Sequence, residues 1–86
     1  MDKGEIIAVL KDIAVFLELK GENAFKIKAY QVGARTLERL EDNFDQVVEE
    51  KRLGELGGIG KVLIDKIDRL YHEGRLDFYD DLKASI

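Results

Sequence analysis

The sequence predicts an all-α protein, a compact bundle of about five short helices, and three observations lead there. There is no proline in 86 residues, and Leu, Ile, Ala, Glu and Lys dominate, residues well suited to helices. Apolar positions recur at three- and four-residue spacing. Hydrophobic residues make up 45% of the chain and charged residues 37%, interleaved along it, which fits a folded domain rather than a disordered one. A chain of this length buries only about 60–65% of its unfolded surface and needs either a well-patterned core or a staple. With no cysteine and one histidine, His72, disulfides are excluded and zinc or iron–sulfur sites lack ligands. The core must therefore suffice, over one domain spanning residues 1–86. No apolar run approaches the ~20 residues of a membrane span, and acids occupy the N-terminus where a signal peptide has none. The expectation is a cytoplasmic protein, a monomer, with no membrane role.

The first helix is read over residues 5–20, with Ile6, Val9, Leu10, Ile13, Phe16 and Leu17 on one side and Glu5, Lys11, Asp12 and Glu18 on the other. Lys20 suits the negative end of its dipole, and Gly21 a left-handed residue just beyond it. Asn23 can cap a second helix over residues 24–40. There Tyr30, Ala34 and Leu37 form an apolar row, and Ala29 and Gly33 a small-residue row that allows close approach. From Ala24 to Leu37 this helix carries Lys26, Lys28 and Arg35 and no acid. Residues 41–50 reverse the balance with five acids and no base, and Asn43-x-x-Gln46 reads as a capping box for a short third helix with Phe44, Val47 and Val48. Helical spacing resumes from Lys61 to Glu73 through Leu63, Ile67 and Leu70. Gly74 ends that helix, and residues 76–84 form a last one with Leu76, Tyr79 and Leu82.

Residues 53–60, Leu-Gly-Glu-Leu-Gly-Gly-Ile-Gly, hold four of the eight glycines. Glycines between two apolar-patterned helices imply a turn that needs positive φ or close backbone approach. Ile59, between Gly58 and Gly60, would pin the turn to the core while the flanking N–H groups point outward. Free N–H groups at the start of a helix attract anions, and Lys61 adds a full charge at the same spot. A phosphate lying against that backbone would leave room for hydrogen alone at Gly58 and Gly60. Glycine turns by themselves also serve as plain connectors. The formal net charge of −4 is not that of a uniformly basic nucleic-acid binder. The bases nevertheless gather in residues 24–39 and at Lys51, Arg52, Lys61, Lys66 and Arg69, so a dipolar domain with one cationic face is expected.

Leu56-Gly-Gly-Ile-Gly-Lys61 resembles the helix-hairpin-helix motif, with Gly57 where that motif usually has proline. Further matches widen the resemblance: Lys20-Gly-Glu-Asn-Ala-Phe-Lys-Ile-Lys-Ala-Tyr30, Ala34, Leu37, Ile64-Asp-Lys-Ile67 and Glu73-Gly-Arg-Leu76. Together they look like the N-terminal domain of bacterial and archaeal family X DNA polymerases and, more distantly, the lyase domain of DNA polymerase beta. The resemblance implies a single helix-hairpin-helix DNA-binding domain over 1–86, with the hairpin unit over about 53–73. Its partner would be DNA, gapped or nicked with a 5′ phosphate, held through the backbone without reading bases, as in DNA repair. If these residues are an excised part, polymerase domains are partners too. The palm and fingers that transfer nucleotides are absent.

The expected DNA contacts are Gly58, Ile59, Gly60, Lys61, Lys26, Lys28, Tyr30 and Lys66, and by the same resemblance Lys26, four before Tyr30, matches a family basic position. Lys66 matches a Schiff-base lysine of 5′-deoxyribose phosphate lyases. The positions of other phosphate-pocket lysines carry Gly54, Val62 and Phe78 instead. No cofactor is required, although backbone carbonyls of Gly54, Leu56 and Ile59 would hold a monovalent cation, Na+ or K+, at the hairpin.

Read by itself, Lys66 lies at the margin of the buried face of its helix, with no acid three or four residues away, whereas Lys61 has Asp65 one turn on. A Schiff base requires a neutral amine, which partial burial and a nearby cation favour. The same placement suits a stem laid over the core edge with its ammonium in water or on a phosphate. Asp65 and Asp68 suit a salt-bridged surface better than a metal pair. Tyr30, Tyr71 and Tyr79 read as packing residues, the first with its hydroxyl near the DNA face, and His72 as a surface residue. A helical protein-interaction module, with residues 41–50 meeting a basic partner, is a further alternative. A major-groove reader is disfavoured, because Val62 to Arg69 offers mainly apolar and acidic side chains.

Overall fold

The computed structural model describes residues 1–86 and is entirely helical: α1 Lys3–Leu19, α2 Ala24–Arg39, α3 Phe44–Glu49, a single 3-10 turn Leu53–Glu55, α4 Lys61–Glu73 and α5 Asp77–Ala84. The all-α expectation holds, and none of the helices is long and apolar enough to cross a membrane.

Helix α1 starts two residues earlier than its apolar pattern suggested, because Asp2 caps it. The Glu5 N–H donates to the Asp2 carboxylate at 2.8 Å, and the Asp2 N–H donates back to the Glu5 side chain at 3.0 Å. Such a box contributes on the order of 1 kcal/mol. At the other end Gly21 takes φ +72°, the Glu22 N–H donates to the Leu17 carbonyl, and the Gly21 N–H donates to that of Glu18, each at 3.0 Å. This is the left-handed helix end foreseen at Gly21. The four residues from Lys20 to Asn23 then fold α2 back against α1. Asn23 caps α2 by accepting the Phe25 N–H at 2.7 Å.

Helix α1 is the hub. It packs along α2 and also touches α4 and α5. Its buried residues Ile6, Val9, Leu10, Ile13, Ala14 and Leu17 meet Leu37 from α2, Val47 and Val48 from α3, and Ile67 and Leu70 from α4 in one core without a buried polar side chain. Burying each of the larger side chains contributes about 1.5–3 kcal/mol. Tyr79 seals the edge of α5, stacking on Phe16 at 6.2 Å and donating its hydroxyl to Asp12 at 2.8 Å.

Three local expectations are corrected. Only Gly33 of the small-residue row serves close approach: a Cβ there would come 2.7 Å from Leu63 Cδ1 of α4, whereas Ala29 is exposed. Only half of the α3 capping box forms. Asn43 accepts the Gln46 N–H at 3.1 Å, but the Gln46 amide donates to Glu50 instead of returning. Helix α3 ends on Lys51 at φ +57°, the one non-glycine residue in the left-handed region, with the Arg52 N–H donating to the Val47 carbonyl at 2.9 Å.

Candidate nucleic-acid interface

The hairpin is built on a tight turn at Leu56–Ile59. The Ile59 N–H donates to the Leu56 carbonyl at 3.3 Å and Gly58 has φ +89°, while Gly57 stays outside the positive-φ region. That combination is a type II turn with Gly57 in its second position. Thr36 of α2 holds it by donating its hydroxyl to the Gly57 carbonyl at 2.8 Å. Ile59, only 6% exposed, pins the turn to the core as anticipated.

Gly58 is required by the protein itself. A Cβ there would lie 2.6 Å from Val32 Cγ1 and 2.8 Å from the Thr36 hydroxyl of α2, and the positive φ adds strain. The sequence suggested that a ligand would need this space, but helix α2 already takes it. Gly60 differs: nothing lies within 4 Å of a Cβ placed on it.

Gly60 is also the residue before α4, and no side chain caps that helix, whereas α1, α2 and α3 are capped by Asp2, Asn23 and Asn43. The N–H groups of Gly58, Gly60, Lys61 and Val62 therefore donate to no protein acceptor. Together with the positive end of the α4 dipole they form a row of donors suited to an anion.

Beside this row runs a groove of about 840 Å³ between the start of α2, the hairpin, α4 and α5. Its walls are apolar, formed by Leu17, Phe25, Ala29, Tyr30, Val62, Leu63, Phe78 and Leu82. Lysines 20, 26, 61 and 66 stand around it, against Glu22 and Asp81. Of the expected contact residues, Lys26, Tyr30, Gly58, Gly60, Lys61 and Lys66 all reach this groove. Lys28 does not: it lies about 200° round α2 from Lys26, on another face. Gly54 lies outside the groove as well, against Ile64.

Neither Lys61 nor Lys66 has a carboxylate at ion-pair distance. Asp65, expected beside Lys61, pairs instead with Arg69 at 3.1 Å, and Asp68 approaches His72 at 3.4 Å, giving the charged surface expected of the two aspartates. Lys26 is only loosely tied to Glu22, at 3.9 Å. Lys66 is half-buried, and its Nζ lies 4.6 Å from the centre of the Phe78 ring. That ring is nearly parallel to Tyr30, 9° apart at 6.3 Å. Tyr30 serves both core and groove; its hydroxyl has no protein partner, and burial raises its pKa.

The expected cationic face is narrower than the sequence suggested, because Arg52 is spent elsewhere. It meets Glu50 at 2.8 Å, Asp42 at 3.6 Å and Glu55 at 3.7 Å. Its hydrogen bond holds the Glu50 carboxyl below the ordinary range, with Gln46 adding to the effect. Among the carbonyls considered for a cation, that of Leu56 accepts the Ile59 N–H, while those of Gly54 and Ile59 accept no backbone N–H.

Of the groove's aromatic residues, Tyr30 was expected at the DNA face and Phe78 only as the occupant of a pocket-lysine position, while Phe25 escaped the sequence reading. Phe25 is 84% exposed at the rim. Its signal was present: it lies about 140° round α2 from Tyr30, off the buried row and next to Lys26. Phe78 and Asp81 come from α5, and only the fold brings them across to Lys66.

The family model for the helix-hairpin-helix domain matches residues 1–76. Along its whole length the chain is 33% identical to DNA polymerase/3′-5′ exonuclease PolX of Bacillus subtilis (strain 168), and it spans 15% of that protein. Fold, hairpin geometry and these matches agree with the resemblance carried by residues 20–76: the chain belongs to the helix-hairpin-helix domain family, in the form similar to that of family X DNA polymerases.

Proposed function

We propose that this chain is a sequence-independent DNA-binding domain that grips the phosphate backbone at the hairpin and receives the 5′-phosphorylated end of a gapped or nicked strand in the adjoining groove. The observation that carries it is the convergence of unpartnered N–H groups of Gly58, Gly60, Lys61 and Val62 with the lysines of one groove. The backbone donors and dipole suit one phosphate, while Lys61, Lys66 and Lys26 suit the next or a terminal one. None of these groups distinguishes one base from another. Phe25 and Val62 offer an apolar surface to an unpaired nucleotide beside the gap. The likeness to PolX supports a repair polymerase as the setting, with polymerase domains as partners in the longer protein.

Titration of a gapped duplex with a 5′ phosphate, beside intact duplex, across a salt series tests this. Tighter binding to the gap, with log K falling at a slope of about −2 to −3 against log salt, corresponds to three phosphates neutralised. No binding at low salt would reduce the hairpin to a connector.

A second reading, 5′-deoxyribose phosphate lyase chemistry, is favoured by Lys66 being half-buried and without a carboxylate partner. Its amine would add to the C1′ aldehyde of an abasic end with loss of water. Removal of a C2′ proton would then expel the 3′ phosphate. Borohydride reduction traps the Schiff base if it forms, and a missing covalent adduct dismisses the reading. A monovalent cation at the hairpin would use the free Gly54 and Ile59 carbonyls with the second lone pair of Leu56.

A further inference from the structure

We propose that Phe78 is a positioning residue for Lys66: its ring fixes the ammonium in the groove and thereby sets the preference for a 5′-phosphate over a 5′-hydroxyl end. The inference deepens the DNA-end reading and rests on it.

A lysine has four rotatable bonds, and ordering its side chain for a ligand carries an entropic cost. Lys66 is already placed. Its stem is half-buried on α4, and its Nζ lies 4.6 Å from the centre of the Phe78 ring, inside the range of cation–π attraction. The ring is held in turn, nearly parallel to Tyr30, which is 6% exposed. The chain of contacts runs from the core through Tyr30 and Phe78 to the ammonium.

The chemistry of the partner matters as much as its position. Asp81 lies one turn beyond Phe78 on α5 and lines the same groove, yet Lys66 forms no ion pair with it. A carboxylate at ion-pair distance would compete with a phosphate for the ammonium. An aromatic face orients the cation without neutralising it, so its charge remains available to an arriving dianion. A 5′-hydroxyl end offers no such dianion, so the benefit is largest for phosphorylated ends.

The test compares wild type with Phe78→Leu and Phe78→Tyr, using gapped duplexes that differ only in a 5′ phosphate or 5′ hydroxyl, alongside NMR of the Lys66 side chain. In wild type and Phe78→Tyr the Lys66 Hε protons should show an upfield ring-current shift, lost in Phe78→Leu. Affinity for the phosphorylated end should fall about two- to fivefold in Phe78→Leu, the range expected of an exposed cation–π contact, and recover in Phe78→Tyr. Affinity for the hydroxyl end should fall less, so that the phosphate-to-hydroxyl ratio drops in Phe78→Leu and recovers in Phe78→Tyr. An unchanged phosphate-to-hydroxyl ratio in a folded Phe78→Leu, or no ring-current shift in wild type, overturns the proposal and leaves DNA binding standing. No affinity of wild type for either duplex removes the DNA-end reading and the proposal with it.

Discussion

The two halves of the hairpin differ in what their glycines answer to. In Leu56–Ile59 the turn is fitted against its own protein on one side: a Cβ on Gly58 would strike Val32 and Thr36, and the Gly57 carbonyl accepts from the Thr36 hydroxyl. In Gly60–Val62 the backbone meets nothing: no atom approaches a Cβ on Gly60, and the first N–H groups of α4 have no partner. One half builds the turn and the other half is offered outward. A glycine-rich signature thus combines two constraints of different origin, which spacing alone does not separate.

Substitutions that separate the two halves follow in order of size. Gly58→Ala should be the most damaging, because it combines strain at φ +89° with a contact that α2 must yield to. A loss of about 2–4 kcal/mol is expected in chemical denaturation, and thermal melting should show a drop of about 8–30 °C, on the order of 4–8 °C per kcal/mol. A melt unchanged from wild type would erase the distinction. Gly60→Val should cost only about 0.5–1 kcal/mol of stability, since the residue has extended backbone and open space and valine is merely a poorer N-cap than glycine. It should weaken DNA binding about tenfold by keeping phosphate away from the donors.

Thr36→Val removes the tie between α2 and the turn and should cost about 0.5–1 kcal/mol of stability. Gly57→Pro should act in the opposite direction, by about 0.5–1 kcal/mol of stabilisation. Proline suits the second position of a type II turn, the Gly57 N–H donates to nothing, and Leu56 already has the extended backbone that a following proline requires. A destabilised Gly57→Pro would mean that the turn is of another type.

Helix periodicity made the scaffold legible. Ile6, Val9, Leu10, Ile13 and Leu17 all lie on the face that α1 buries, and Gly21 and Gly74 end their helices with positive φ as read. The start of α1 was obscured because Lys3, Gly4 and Glu5 carry no apolar signal, and the cap that starts the helix is a polar exchange between Asp2 and Glu5. At the site, residues contiguous in sequence were legible: Gly58 to Lys61, and Lys26 with Tyr30 one turn apart. The partners of charged residues were not. Asp65 has acceptable cations one turn away in both directions, Lys61 and Arg69, and helix spacing does not choose between them; the structure selects Arg69. Likewise, nothing local connects Arg52 to Asp42 or Phe78 to Lys66, because those distances are set by how separate segments pack.

Lys51 gives the fold an uneven resistance to opening. Where Gly21 and Gly74 enter the left-handed region freely, a lysine there costs about 1 kcal/mol, and it closes a helix of six residues, below the length at which helices sustain themselves. The connection from Asn43 to Arg52 should therefore open locally more readily than α1, α2 and α4. Its amides should exchange with solvent well before those of the α1–α2 pair, so that the acidic segment 41–50 can loosen without disturbing the groove on the other elements.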